Sequence, residues 1–225
     1  MRTKKALLPL FLAPALAWAN PSLSEIAEHA KAATMPADSV WIETTQTTSV
    51  AGVEVVSSIT TVKLGDREKI TMESPMFSQV VVKAGEKLRM KDVKTGRVTE
   101  IPVGNELDVS KNALGVSLWG NGDYGAPVAD GKLWKVESKS DLGDSALSAR
   151  VLWYDAQVKR IVRFSENRQG AVMEVVMEYC AKCQMPDVPR KFNVTAKQGG
   201  ADVRMKMEVK LLKRVRSLPA NFFDL

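Results

Sequence analysis

The sequence is poor in the residue types that most often carry chemistry. Its 225 residues include one histidine and two cysteines. His29 is thus the only imidazole that a Ser-His-Asp or Cys-His arrangement could use, and nothing near it in sequence supports such a site. A structural zinc site takes four nitrogen or sulfur ligands, whereas His29 and the two cysteines supply three. We therefore expect no enzyme activity, no metal and no cofactor, and we expect His29 to be exposed on the polar side of a helix.

Long apolar runs are also missing, apart from one near the N-terminus. Residues 6–16 are largely apolar and follow the basic residues Arg2, Lys4 and Lys5. Residues 17–19 then have the small-x-small pattern that signal peptidases recognise, and the run is too short to span a bilayer. We expect residues 1–19 to be a cleaved signal peptide, and residues 20–225 to be a single domain of an exported, periplasmic protein.

The sequence has no extended basic stretch of the kind that binds nucleic acid. The formal net charge of +6 falls to +3 without the three basic residues of segment 1–19. The densest basic stretch, residues 210–216, is interrupted by Leu211, Leu212 and Val215, which is typical of one solvated face of a strand. We expect no nucleic-acid partner.

The two cysteines, Cys180 and Cys183, are close together in sequence. Gln184 stands where attached haem would require a histidine. The pair follows a strand-like segment and precedes the turn-forming residues 185–189, so an exported chain favours a local disulfide that closes the end of a hairpin. A metal or redox role and two free thiols remain as alternatives.

One short helix and many strands are indicated along the chain. Ser22 and Glu25 form a capping-box pattern, apolar residues recur at helical spacing after them, and Met35-Pro36 ends the pattern. Segments rich in β-branched and aromatic residues follow, separated by turn residues. We predict strands at residues 40–47, 53–64, 68–73, 79–83, 88–93, 132–138, 149–155, 159–164, 171–179, 190–196 and 203–211.

The last of these strands alternates most regularly. Val203, Met205, Met207, Val209 and Leu211 alternate with charged residues, so one face is apolar and the other is charged. Such alternation is typical of an antiparallel sheet with one covered face. Many such strands in series predict a mainly β fold, either a large curved meander or an open barrel.

Two further features indicate a binding function. Residues 104–131 show no sustained period but contain apolar residues, so we expect a packed lid or plug there. Methionine is flexible and polarisable, and it suits a surface that accepts varied acyl chains, although ordinary core filling is the alternative. The methionines in question lie in or beside strand-like segments: Met72, Met76, Met90, Met173, Met177, Met205 and Met207.

Several segments together resemble the LolA-like group of outer-membrane lipoprotein-sorting proteins. The resemblance is carried by residues 152–155 with 158–161 (LWYD…VKRI), 187–192 (DVPRKF) and 218–225 (LPANFFDL), and by the hairpin run 68–93, which contains M-x-S-P-M. It implies an unclosed, strongly curved antiparallel β-barrel whose concave side holds a helical plug or lid. It also implies an apolar cavity that holds acyl chains.

The resemblance therefore implies a periplasmic carrier that binds acyl chains of lipoproteins or lipids and moves them toward the outer membrane without catalysis. Its partners would include an inner-membrane donor and an outer-membrane acceptor. Arg67 and Arg89 are both candidates for the arginine that contacts the lid in this family. The residues that we expect at the cavity or lid are Met72, Met76, Phe77, Met90, Leu118, Trp119, Trp153, Met205 and Met207.

Two other functions compete with the carrier. A sensor or adaptor of the same fold would bind a protein partner, as the RseB-type envelope-stress regulators do. Those regulators carry a second domain, whereas we expect a single domain here, which favours the carrier. A redox or hydrolytic enzyme would depend on Cys180 and Cys183 alone.

Overall fold

One helix and a large antiparallel sheet make up the described part of the chain. The computed structural model describes residues 20–33, 39–85, 87–102, 118–119, 123–138, 147–168, 171–198 and 201–225. The predicted signal peptide (1–19), the predicted helix stop at Met35-Pro36 and most of the predicted lid lie outside these residues.

Helix α1 spans Leu23–Ala32 and begins where the capping pattern predicts. The Ser22 side-chain oxygen accepts a hydrogen bond from the Glu25 backbone amide at 3.1 Å, which satisfies one of the amides left free in the first turn. Ile26 and Ala30 are fully buried. The helix therefore turns a narrow apolar side toward the sheet.

Every strand predicted from the sequence is present, two of them with the predicted bounds and the others with ends shifted by a few residues. Two strands were not predicted, β6 and β7, and β7 falls inside the segment expected to be a lid. The strands are β1 Ser39–Val50, β2 Val53–Leu64, β3 Arg67–Glu73, β4 Ser78–Ala84, β5 Lys87–Asp92, β6 Val98–Pro102, β7 Val128–Asp130, β8 Leu133–Glu137, β9 Leu147–Asp155, β10 Arg160–Arg168, β11 Ala171–Tyr179, β12 Pro189–Gln198 and β13 Ala201–Arg214.

The thirteen strands form one open, curved antiparallel sheet in the order β6-β5-β4-β3-β2-β1-β13-β12-β11-β10-β9-β8-β7. Within the described residues, β6 and β7 are its two edges. Strands β1–β6 form one meander, strands β7–β13 form another, and the pairing of β1 with β13 joins them. The predicted fold class, an unclosed β-barrel with a helix on one side, is confirmed.

We call the face of the sheet that packs against α1 the helix-side face and the opposite face the outer face. On the helix-side face, Ile26 and Ala30 pack into the main core with side chains from β1 and β8–β13. These are fully or nearly fully buried, and they include Val40, Ile42, Val136, Leu152, Tyr154, Ile161, Phe164, Val175, Met177, Val209 and Leu212. A second, smaller cluster of Ile70, Val81 and Leu88 lies on strands β3–β5.

A β-bulge changes which residue of β13 enters the core. The pairing of β13 with β1 shifts register between Glu43 and Thr44. Val209 and Leu212 are consequently both buried, whereas Leu211, which the alternation placed on the apolar face, is only half-buried opposite Glu43. The sequence-based expectation for Leu211 was wrong, because a bulge interrupts the period of two.

The outer face of β1–β4 is covered by the C-terminal tail, residues 215–225. The Lys69 Nζ donates hydrogen bonds to the backbone oxygens of Phe222 at 2.8 Å and Asp224 at 3.2 Å. Lys69 lies in a cross-strand row with Val62 and Val82, and both valines are only 1% exposed although they point away from α1. The tail thus gives this half of the sheet a second buried layer.

Candidate ligand-binding surface

The side chains of the helix-side face are fully buried at one end of the sheet and half-buried at the other. Near α1 its side chains are fully buried, but toward the end of the sheet where β1 turns into β2 the burial falls. The half-buried part is rich in methionine, with Met173 on β11 and Met205 and Met207 on β13. Strands β3 and β5 add Met72 and Met90, which pack against the smaller cluster. We call these five residues the methionine surface.

The cross-strand register places the methionine surface on one face of the sheet. Met205 and Met207 pair with Thr48 and Gln46 of β1, which face the same way as the buried Ile42. Met72 lies in a cross-strand row with Ile59 of β2 and Thr44 of β1, so it is on the same face as these residues. The methionine surface thus has two groups, one on β11 and β13 and one on β3 and β5. Strands β1 and β2 lie between them, so β13 and β3 are about 14 Å apart at the usual strand spacing.

A polar seam runs between the two methionine groups. Gln46 and Thr48 lie on β1 between them, and the Gln46 Nε2 donates to the Thr48 Oγ1 at 3.1 Å. This internal bond satisfies part of the seam without water. The surface is thus apolar on both sides of a narrow hydrogen-bonded strip, which suits flexible chains more than a rigid aromatic ligand.

Three of the residues proposed from the sequence lie elsewhere. Met76 and Phe77 are in the turn between β3 and β4, where the Met76 side chain is 68% exposed. Trp153 is on the outer face, because its neighbours Leu152 and Tyr154 point to the core. Its Nε1 donates to Asp130 at 2.8 Å, and the Arg163 guanidinium lies 4.1 Å from the centre of its indole ring.

Leu118 and Trp119, from the segment expected to be a lid, belong to the main core. Leu118 is buried, and Trp119 stacks on Tyr124 with the ring centres 4.1 Å apart. Val128–Asp130 in the same segment is a strand paired with β8 and is not loop. Residues 104–117 and 120–122 of this segment lie outside the described residues.

The structure reveals a buried ion pair that the sequence did not indicate. Arg150 on β9 and Glu166 on β10 are direct cross-strand partners, both are nearly fully buried, and a guanidinium nitrogen contacts a carboxylate oxygen. They lie on the helix-side face beside Leu152, Phe164 and Met173. Arg67 and Arg89, the arginines considered from the sequence, point to the outer face, where Arg67 lies 4.8 Å from the Phe223 ring centre.

His29 is not an exposed helix residue, contrary to expectation. Its Nδ1 lies 2.8 Å from the hydroxyl of Tyr154, and the two rings stack with centres 5.6 Å apart. The Glu25 carboxylate lies 3.5 Å from the same hydroxyl. Burial, together with the nearby Glu25 charge, raises the pKa of Tyr154 to about 12. This cluster attaches α1 to β9 with polar contacts.

Comparison with known proteins identifies the fold. A LolA superfamily protein from Nitrosomonas europaea superposes with a TM-score of 0.60 at 13% identity, over 91% of this chain and 98% of that one. A domain from Vibrio parahaemolyticus assigned to outer membrane lipoprotein sorting gives 0.54 at 14% identity, over 89% and 95%. A DUF1329 family protein from Desulfovibrio piger gives 0.55 at 10% identity, over the same shares. The chain has a LolA-like fold. No family model and no curated protein matches its sequence.

The cysteines of this LolA-like chain form a disulfide. Cys180 and Cys183 are bonded to each other in the connection between β11 and β12, as the sequence predicted. Neither cysteine is therefore a free thiol, and the two form a local bridge at the end of a hairpin. Because the closed loop is so short, the bridge restricts little of the unfolded chain, and its stabilisation is at the low end for disulfides.

A shallow groove on the outer face is chemically different from the methionine surface. It has a volume of about 400 Å³ and lies over β11–β13. Half of its lining residues are charged, so it is less suited to acyl chains than the methionine surface. Its lining residues are Val172, Glu174, Thr195, Ala196, Lys197, Asp202, Val203 and Arg204.

Among the described residues, no helix is long and apolar enough to cross a membrane.

The stability of the LolA-like fold should fall at alkaline pH. An unfolded chain ionises tyrosine near pH 10, whereas the pKa of Tyr154 is about 12 in the fold. Tyr154 thus contributes stability below pH 10, and this contribution is lost as the pH rises to about 12. We expect a loss of about 2 kcal/mol in the free energy of unfolding.

Denaturant titrations across this pH range measure the effect. The Tyr154→Phe variant should show a shallower decline, although not a flat one, because burial also raises the pKa of Tyr179. An equally steep decline in the variant would contradict the assignment to Tyr154.

Proposed function

We propose that this protein is a non-catalytic carrier that holds acyl chains of a lipoprotein or lipid on its methionine surface. The half-buried methionine surface, at the less buried end of the helix-side face, is the observation that carries the proposal. The LolA-like fold supports it, since one similar structure comes from a domain assigned to lipoprotein sorting.

The energetics favour such binding. Burial of apolar surface contributes about 25 cal/mol per Å², or about 0.8 kcal/mol for each methylene group. Ten buried methylenes would therefore contribute about 8 kcal/mol before the cost of ordering the chain. Methionine side chains can adjust to chains of different length and branching because they have three flexible bonds and a polarisable sulfur.

The proposed carrier acts in the periplasm. Residues 1–19 would direct export and be removed, and residues 20–225 would form a single carrier domain. Cargo would come from an inner-membrane donor and pass to an outer-membrane acceptor. No bond needs to be made or broken, because acyl chains leave when a more apolar environment is offered.

Lipid binding by the mature protein tests the proposal. We would purify residues 20–225 gently from a periplasmic extract and measure bound lipid and lipopeptide by native mass spectrometry. A Met205→Glu/Met207→Glu variant places two carboxylates on the methionine surface and should lose at least about tenfold in affinity for an added lipopeptide. Val176→Glu is the matched control, because Val176 is exposed on the outer face of β11.

Equal binding by wild type and the double methionine variant would overturn the proposed site. A lipid-free protein that takes up neither phospholipid nor lipopeptide would overturn the carrier. If such a protein retained a single protein partner in a pull-down, the adaptor function would be favoured instead.

A further inference from the structure

Exposed apolar side chains concentrate at one end of the sheet. Ten large hydrophobic residues are exposed among the described residues, and seven of them lie toward the end that holds the β1–β2, β3–β4 and β5–β6 turns. Isolated exposed valines are ordinary, whereas exposed apolar side chains that lie together on one surface mark an interaction site. The seven are Val50, Val53, Val56, Met76, Val93, Val98 and Val172.

Two of these turns are held together as one structural unit. The Lys94 Nζ, in the β5–β6 turn, donates to the Met76 backbone oxygen of the β3–β4 turn at 3.2 Å. The Val93 amide donates to the Ser78 oxygen at 2.9 Å, which fixes the base of one turn against the other. We call residues 74–77 and 93–97 the paired tip. It presents the side chains of Met76 and Val93, which are 68% and 49% exposed.

The paired tip is basic as well as apolar. Its nine residues include Lys94 and Arg97 and no carboxylate, and Glu73 and Asp92 directly precede its two segments. Asp92, just before the β5–β6 turn, accepts a hydrogen bond from the Thr95 amide at 2.8 Å, so this carboxylate caps the turn. Hydrogen bonding to Thr95 also lowers the pKa of Asp92. An apolar tip that contains two cations matches a bilayer interface, where apolar side chains enter the acyl boundary and cations meet anionic headgroups.

We propose that the paired tip docks this protein on the surface of an anionic phospholipid bilayer. Met76 and Val93 enter the interface, while Lys94 and Arg97 contact the phosphate groups. The attachment is weak and reversible, because only a few apolar side chains and cations take part.

The position of the paired tip agrees with the position of the methionine surface. Met72 is the next-to-last residue of β3, beside the β3–β4 turn. The methionine surface therefore extends to the same end of the sheet as the paired tip. A bilayer docked there would lie next to the half-buried end of the helix-side face and not next to α1. Docking is nevertheless separable from cargo binding, because the two use different side chains.

Vesicle co-sedimentation of the mature protein tests the proposal. The probes are vesicles of phosphatidylethanolamine with phosphatidylglycerol and, for comparison, vesicles of phosphatidylcholine alone. We expect measurable binding to the anionic vesicles that weakens as salt is raised. Met76→Glu/Val93→Glu should reduce binding at least about tenfold, and Arg97→Glu should reduce it about fivefold or more.

Val158→Glu is the matched control. Val158 is 50% exposed in the β9–β10 turn at the opposite end of the sheet, and its replacement should leave vesicle binding unchanged. The proposal is overturned if wild type does not bind anionic vesicles, if both vesicle types bind equally, or if Val158→Glu weakens binding as much as the tip variant.

A lipopeptide-binding measurement without vesicles separates this proposal from the carrier function. The Met76→Glu/Val93→Glu variant should bind soluble lipopeptide as wild type does. Loss of vesicle binding with intact lipopeptide binding supports a separate docking surface. If the variant loses lipopeptide and vesicle binding together, the tip is part of the cargo site and the docking proposal fails.

Discussion

Replacing Glu166 by glutamine should lower the free energy of unfolding by about 3 kcal/mol, because it removes one charge of the buried Arg150–Glu166 ion pair and keeps the other. Both residues are nearly fully buried, so water cannot replace the lost carboxylate. Glu166 is the direct cross-strand partner of Met173, so the change is made next to the methionine surface. Equilibrium unfolding in denaturant measures the change.

Two further variants make this prediction specific. Glu174→Gln removes the partner of Arg163 in a half-exposed ion pair, in which a guanidinium nitrogen lies 2.9 Å from a carboxylate oxygen. This change should lower the free energy of unfolding by less than about 1 kcal/mol. Replacing Arg150 and Glu166 together by methionine should recover most of the loss, because both charges of the pair are then removed. Equal effects of Glu166→Gln and Glu174→Gln would show that burial does not determine the energy of the pair.

Replacing Phe223 by alanine should destabilise the fold by about 3 kcal/mol, the usual cost of removing a large buried aromatic side chain. Phe223 is 4% exposed, meets Phe222 edge-on with ring centres 5.2 Å apart, and carries the Arg67 guanidinium over its ring. Its loss would loosen the C-terminal tail and give water access to the outer face of β2–β4.

Asn221→Ala is the control for this variant. Asn221 is exposed in the same turn, so its replacement should change the free energy of unfolding by less than about 0.5 kcal/mol. Hydrogen exchange of the β2 and β4 amides should increase in Phe223→Ala and not in Asn221→Ala. If Phe223→Ala leaves stability and exchange unchanged, the tail does not stabilise the outer face.

The fold was largely predictable because most strands carry their own signal. Residues 53–64 and 171–179 were assigned with the bounds that the structure has, since β-branched residues fill them and turn residues border them. Strand β6 was missed because it is short, ends in proline and carries charge at its centre. The bulge opposite Glu43 was not predictable, because it depends on how β13 pairs with β1 and not on either sequence alone.

The candidate site was predictable only where alternation is regular. Met205 and Met207 share a face with the buried Val209, as the period of two in β13 indicates. Trp153 was selected for its size, but Leu152 and Tyr154 occupy the inward positions on either side of it. The Arg150–Glu166 pair had no sequence signal, since it is created by the register between β9 and β10.

The pairing of β1 with β13 also determines how the sheet can fold. Val40 pairs with Arg214 and Val50 with Val203, whereas the other strand pairs of the described sheet join neighbours in sequence. Closing so long a loop is entropically costly, so this pair should form after the two meanders. Until then, β1 and β13 are long unpaired edges rich in Val, Thr and Met, and a half-folded chain is most prone to aggregate through them.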